Sequence, residues 1–237
     1  MHDRNMIAST HSTVGGIFQI LFIFLFLVVG AFVSLKQSRV RRQRVLELNE
    51  LATRMAFDSF NPDSDETFTL GWGFLGWLDQ GSRRYAFNLL QGKYHESPLF
   101  VFDYHFQTGE GKNKNERYLT ILMLVCKEAF PKLTIGPERL RDRIAESLGL
   151  ENDIHFESAE FSRTFNVRSP DKKFAYDVCN AQMIEFLLAN RDLQVEIQGP
   201  VILLAFEPQL PVEKIEFNLQ RLAQIRSLLP DYLFTNA

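Results

Sequence analysis

The chain has 237 residues and a formal net charge of −3, with 46% hydrophobic and 23% charged residues, close to the ~25% charged fraction of soluble domains. That balance excludes both a polytopic membrane protein and a disordered chain. The mean hydropathy is nevertheless only −0.12, so the apolar residues are unevenly spread.

After a tail at 1–13, residues 14–35 carry no charge, and sixteen of these twenty-two are Val, Ile, Leu or Phe. A helix of that length reaches ~33 Å against a hydrocarbon core of ~30 Å, and its apolar side chains favour insertion by about 5–10 kcal/mol. The segment predicts a transmembrane helix. A cleaved signal peptide needs a basic start, a shorter apolar core and a small-residue cleavage site, and all three are missing. Gln19, Gly30 and Ser34 are the candidate helix-association residues, the last two as a small-xxx-small pair.

Lys36, Arg39, Arg41, Arg42 and Arg44 follow with no acidic residue among them, whereas the tail has only Asp3 and Arg4. The asymmetry predicts a single-pass protein of the cell membrane, with its amino terminus outside and its carboxy-terminal domain in the cytoplasm. The same five cations are candidate contacts for anionic lipid headgroups, at ~1 kcal/mol each. Residues 46–237 hold twenty basic against twenty-eight acidic residues, a net −8 that repels phosphate backbones and excludes nucleic acid as the expected partner.

Helical spacing of Val45, Leu46, Leu48, Leu51, Ala52 and Met55 extends a basic juxtamembrane helix or stalk over 36–60. The remainder, 61–237, reads as a cytoplasmic α+β domain: a mainly antiparallel sheet covered by about three helices on one face. Period-two alternation marks a strand at 99–107, with Phe100, Phe102, Tyr104 and Phe106 on one face and Val101, Asp103, His105 and Gln107 on the other. A polar connection at 109–116 joins it to a central strand at 118–126. Further strands are expected at 83–90, 132–135, near Ile154 and at 161–167. Gly136-Pro137 is read as opening a short helix that ends at Gly149. One amphipathic helix is expected over 171–190, then a hairpin of 193–197 and 201–206 turning at Gly199-Pro200, then a helix over 212–229 stopped by Pro230.

Gly71-Trp72-Gly73-Phe74-Leu75-Gly76 matches a dinucleotide fingerprint in spacing, but Asp79-Gln80-Gly81 would break the helix that such a site requires. It reads instead as a turn carrying Trp72, Phe74 and Trp77 into the core or onto the membrane interface. Gly109-Glu110-Gly111-Lys112 lacks the first glycine and the hydroxyl residue of a phosphate loop. Asp103 and His105 form a polar pair on one strand face, the weakest kind of acid-base or metal constellation because no third group is identifiable. Cys126 and Cys179 belong to no CxxC pair and the histidines lack zinc spacing, so neither a metal nor a cofactor is expected.

The stretches 101–124, which begins VFDYHFQTGEGK, and 152–167, NDIHFESAEFSRTFNV, resemble uncharacterised bacterial single-span membrane-anchored proteins. These share an FDY-x-[YF]-x-TG-x-GK hairpin in a domain of unknown function, and the likeness covers most of 40–230. It implies a bacterial source and a single-span plan, and brings no catalytic residue. The expected function is a non-enzymatic interaction domain or accessory subunit of a membrane protein complex, with the lipid bilayer and a membrane protein as partners. The alternatives are a membrane-tethered, metal-assisted enzyme using Asp103 and His105, and a domain that senses anionic lipid.

Overall fold

The computed structural model describes residues 4–138 and 154–234, with side chains from Leu25 onward, Val33 excepted. The chain divides into two units, Met1–Glu47 and Leu48–Ala237. Helix α1, Arg4–Arg54, supplies all the described structure of the first unit. There Leu25, Phe26, Leu27, Phe32 and Leu35 are 59–73% exposed and Val28 and Val29 about half exposed. Of the expected span, 14–24 and Val33 lie outside the described side chains; among the described residues no helix is long and apolar enough to cross a membrane.

In the second unit, Leu48, Leu51 and Ala52 at the end of α1 are buried in a core with an antiparallel sheet. The strands among the described residues are β1 (Ser59–Asn61), β2 (Ser82–Tyr94), β3 (Ser97–Thr108), β4 (Asn115–Pro137), β5 (Phe165–Arg168) and β6 (Val195–Phe206). The order β1-β2-β3-β4 runs across the sheet. The first half of β4 lies between β3 and β6, and its second half between β5 and β6. Its Tyr118–Cys126 stretch, apolar on both faces, is central as expected.

Helices α2 (Glu66–Leu70), α3 (Ala159–Thr164), α4 (Lys172–Val178) and α5 (Ala181–Ala189) each start on a side-chain cap. Asp65, Ser158, Asp171 and Asn180 accept from the backbone N–H of Phe68, Phe161, Phe174 and Met183 at 2.9–3.2 Å. Each bond satisfies a donor that the helix cannot, an effect of ~1 kcal/mol per cap. Helix α6, Ile215–Leu228, buries Ile215, Leu219, Leu222 and Ile225 and stops before Pro230.

The α+β class with a mainly antiparallel sheet holds, and several finer expectations are corrected. The sheet is covered on both faces. The end of α1 and helices α3–α6 pack on one, with Leu122, Leu124, Ile202 and Leu204; residues 68–78 cover the other, with Phe102, Tyr104, Leu119 and Leu203. The 132–135 strand is the far half of β4, which continues through Gly136-Pro137 in register with β5, so these two residues do not open a helix. The rest of the expected 136–149 helix lies outside the described residues, apart from Glu138. Residues 161–164 are helical, and Ile154 lies in no strand, although its N–H bonds Val167 O at 2.9 Å. The helix expected over 171–190 is broken at Cys179 because Asn180 caps a second one. Gly199-Pro200 is not a hairpin turn: β6 runs straight through it, with Gly199 at φ +54° opposite Phe130, where β4 carries extra residues. Proline tolerates such an irregularity in a strand because a ladder hydrogen bond is already missing there.

Candidate functional site

Two bulges in β2 organise the polar face of β3. Between Ser82 and Tyr85, and again between Phe87 and Leu90, β2 has one residue more than its partner, and Arg83 and Asn88 take left-handed backbone conformations there. Asparagine accepts φ > 0 more readily than most residues. The second bulge places Asn88 so that its Nδ2 donates to Asp103 Oδ2 at 2.8 Å. The first turns the Arg83 carbonyl to His105 Nδ1 at 3.0 Å.

Asp103 and His105 are both buried, on the strand face that the alternation predicts. They are not joined to each other by a hydrogen bond; each is engaged separately. Thr120 Oγ1 donates to Asp103 Oδ1 at 3.0 Å and accepts from Leu210 N at 3.0 Å, tying the connection after β6 to the centre of the sheet. His105 stacks on Tyr85 with ring centroids 4.5 Å apart, lies 4.9 Å from the Tyr118 ring, and turns Nε2 to Glu116 Oε2. Both imidazole nitrogens thus face oxygen atoms of the chain. The bonds from His105 and then from Gln107, at 2.7 Å, hold the Glu116 carboxyl below the usual carboxylate range. Among the described residues no group of three His, Cys, Asp or Glu side chains could hold a metal ion.

A carboxylate that the sequence reading missed is buried on the far face. Glu196, 0% exposed, accepts from Gly76 N at 2.7 Å and Trp77 N at 3.1 Å. Burial pushes its carboxyl up, and the two backbone donors pull the other way. The last glycine of the 71–76 motif therefore offers its amide to a carboxylate of the same chain, and the turn buries Trp77 while Trp72 packs beside it. Alternation alone marks Glu196 as facing away from Val195 and Ile197, but nothing in the sequence names its partner.

The other expected positions fall in the first unit. Lys36, Arg39, Arg41 and Arg42 are exposed, and Arg44 is partly buried and engaged. Gly30 is open, with nothing within 4 Å of an added Cβ, and Ser34 O accepts from Ser38 Oγ at 2.8 Å. The Gln19 side chain lies outside the described residues. In the second unit the thiols of Cys126 and Cys179 are buried and free, and burial raises both. An apolar cleft of about 230 Å³ opens between Met55, Phe57, Leu99 and Leu222.

No protein-family model matches the chain, and no curated protein matches its sequence. Among solved structures, the fold is similar to the crystal structure of the mycobacterial trehalose monomycolate transport factor A, TtfA. The TM-score is 0.55 at 19% identity, over 78% of this chain and 93% of that one.

Proposed function

We propose that the protein is a bacterial membrane-anchored, non-enzymatic interaction domain, an accessory subunit of a membrane protein complex. The observation that carries this reading is the set of exposed apolar side chains Leu25, Phe26, Leu27, Val28, Val29, Phe32 and Leu35 on α1, followed by the exposed cations Lys36, Arg39, Arg41 and Arg42. Such a band is costly in water and is stabilised by a bilayer, with the cations at a cytoplasmic headgroup layer. The non-enzymatic part rests on the sheet: Asp103 and His105 spend their polar atoms on Asn88, Thr120, Arg83 and Glu116, which disfavours a metal-assisted enzyme built on that pair. The similar fold of a protein named as a transport factor supports an accessory role at a membrane. The exposed cations favour contact with anionic lipid as a supplementary property rather than the main function.

Protease accessibility of a carboxy-terminal tag tests the orientation in intact and permeabilised cells; the reading expects protection until permeabilisation, and cleavage in intact cells overturns it. A photoreactive side chain at Phe217, 57% exposed on α6, tests the partner. A single stoichiometric crosslinked membrane protein is the expected result, and a chain that crosslinks to no protein from this or any other exposed position of the second unit would overturn the accessory role.

A further inference from the structure

The apolar cleft beside Met55 and Phe57 continues past its own end. A second cleft, of about 260 Å³, shares Tyr94, Leu124 and Ala223 with the first, of about 230 Å³. The two make one groove between α6 and the tip of the β2–β3 hairpin, and together they reach the ~300–1,000 Å³ range of small-molecule sites. Along it, Glu216, Gln220, Ala223 and Ser227 of α6 step four, three and four residues apart, so they form a single stripe of that helix. From first to last the stripe runs about 16 Å at ~1.5 Å per residue.

The middle of the groove is apolar, with Leu99, Leu124, Leu219 and Leu222 beside the rings of Phe57 and Tyr94. In the first cleft the charged side chains are paired: Glu216 with Arg54 at 3.3 Å, and Lys93 with Glu96 at 3.9 Å. The second cleft differs. Arg226 lies there over Phe234, 3.3 Å from the ring centroid, and hydrogen-bonds the Cys126 thiol. Neither Glu128, whose charge reaches that thiol, nor any other described carboxylate forms an ion pair with Arg226. His95, Ser97 and Ser227 add polar atoms beside it, and no acidic residue lines this end. An apolar groove that ends at a guanidinium without an ion pair complements a molecule with an alkyl body and one anionic end. An extended peptide fits less well, because it carries an N–H and a C=O at almost every residue and the leucines offer them no partner.

We propose that this groove binds the alkyl chain of a free fatty acid, with the carboxylate at Arg226. The inference does not rest on the anchoring of the chain.

The test photolabels the full chain in phosphatidylcholine nanodiscs with a diazirine-bearing palmitate and maps the adducts by mass spectrometry. A chain that stays out of nanodiscs speaks against anchoring alone, and it is labelled in solution by the same protocol. Adducts are expected on 92–99 and 219–227, displaced by unlabelled palmitate and about tenfold less well by hexadecanol, which lacks the carboxylate. Ala223→Trp, which fills the groove from its wall, should remove the adducts with Tm kept. Arg226→Gln should weaken palmitate about tenfold, and Arg226→Lys should restore most of the loss. The competition needs no variant, so it decides even where a substitution unfolds the sheet. Three outcomes overturn the inference: adducts absent from both segments or confined to α1; hexadecanol displacing the label as well as palmitate does; or labelling unchanged in a folded Ala223→Trp chain.

Discussion

The two units invert the ordinary placement of polarity in opposite senses. On α1, Leu25, Phe26, Leu27 and Phe32 expose apolar side chains, whereas on β3 and β6 Asp103, His105 and Glu196 bury polar ones. The buried groups are reconciled within the chain, each by named hydrogen bonds. Among the described residues of the first unit nothing performs the same service for the exposed leucines and phenylalanines, and burying one such side chain is worth about 1.5–3 kcal/mol. The contrast teaches that buried Asp103, His105 and Glu196 find their partners within the second unit, while the apolar side chains of α1 stand exposed.

The largest effect that breaks the contrast is on the helix. Leu25→Arg with Val28→Arg adds two charges near the centre of the apolar band, at about 2.5–3.5 kcal/mol each, enough to offset most of its ~5–10 kcal/mol preference for the bilayer. Membrane fractionation should move most of the protein from the pellet to the soluble or aggregated fraction. Next is Glu196→Ala, which strands the amides of Gly76 and Trp77 in the core and should lower unfolding stability by about 2–4 kcal/mol in urea. Asp103→Ala leaves Asn88 and Thr120 without their acceptor and should cost about 2–3 kcal/mol by the same measurement. Arg41→Gln removes one headgroup contact worth ~1 kcal/mol and should weaken binding to anionic vesicles about fivefold without altering the melting of the sheet.

The smallest effect concerns pH. The folded Glu116 carboxyl is depressed, so its contribution is present above the unfolded glutamate value, ~4.3, and is lost as pH falls through the lower folded value. Glu116→Gln should therefore flatten the acid limb of stability below about pH 4.3, read from urea midpoints at stepped pH. A limb of unchanged steepness would show that the His105 and Gln107 bonds do not perturb this carboxyl.

Features fixed by local periodicity were legible in the sequence. The alternation of Phe100 to Gln107 assigned both faces of β3 correctly, and Pro230 and the apolar spacing of Ile215 to Ile225 located α6. Features fixed by long-range pairing were not. Gly199-Pro200 has the composition of a turn, and only the irregular register opposite Phe130 keeps it within one strand. Asn180 reads as an ordinary helix-interior polar residue until its side chain is seen to cap α5. The polar pair was visible on its strand face, but its role was decided by Asn88 and Arg83, whose bulges leave no signature that sequence spacing could reveal. The 71–76 stretch reads as a turn carrying aromatics into the core, which holds for Trp77, but the covered second face was missed because no spacing joins that turn to Glu196 across the sheet.

The most direct test of the central claim is the depth of α1. Cysteine placed at Phe26 or at Arg41 and labelled with an environment-sensitive dye reports the medium at each position, and the native Cys126 and Cys179 are buried and spared by mild labelling. In vesicles containing the full chain, the dye at position 26 should emit as in hydrocarbon and resist a soluble quencher, while the dye at position 41 should emit as at a headgroup layer and be quenched. Aqueous emission with full quenching at both positions would contradict the account.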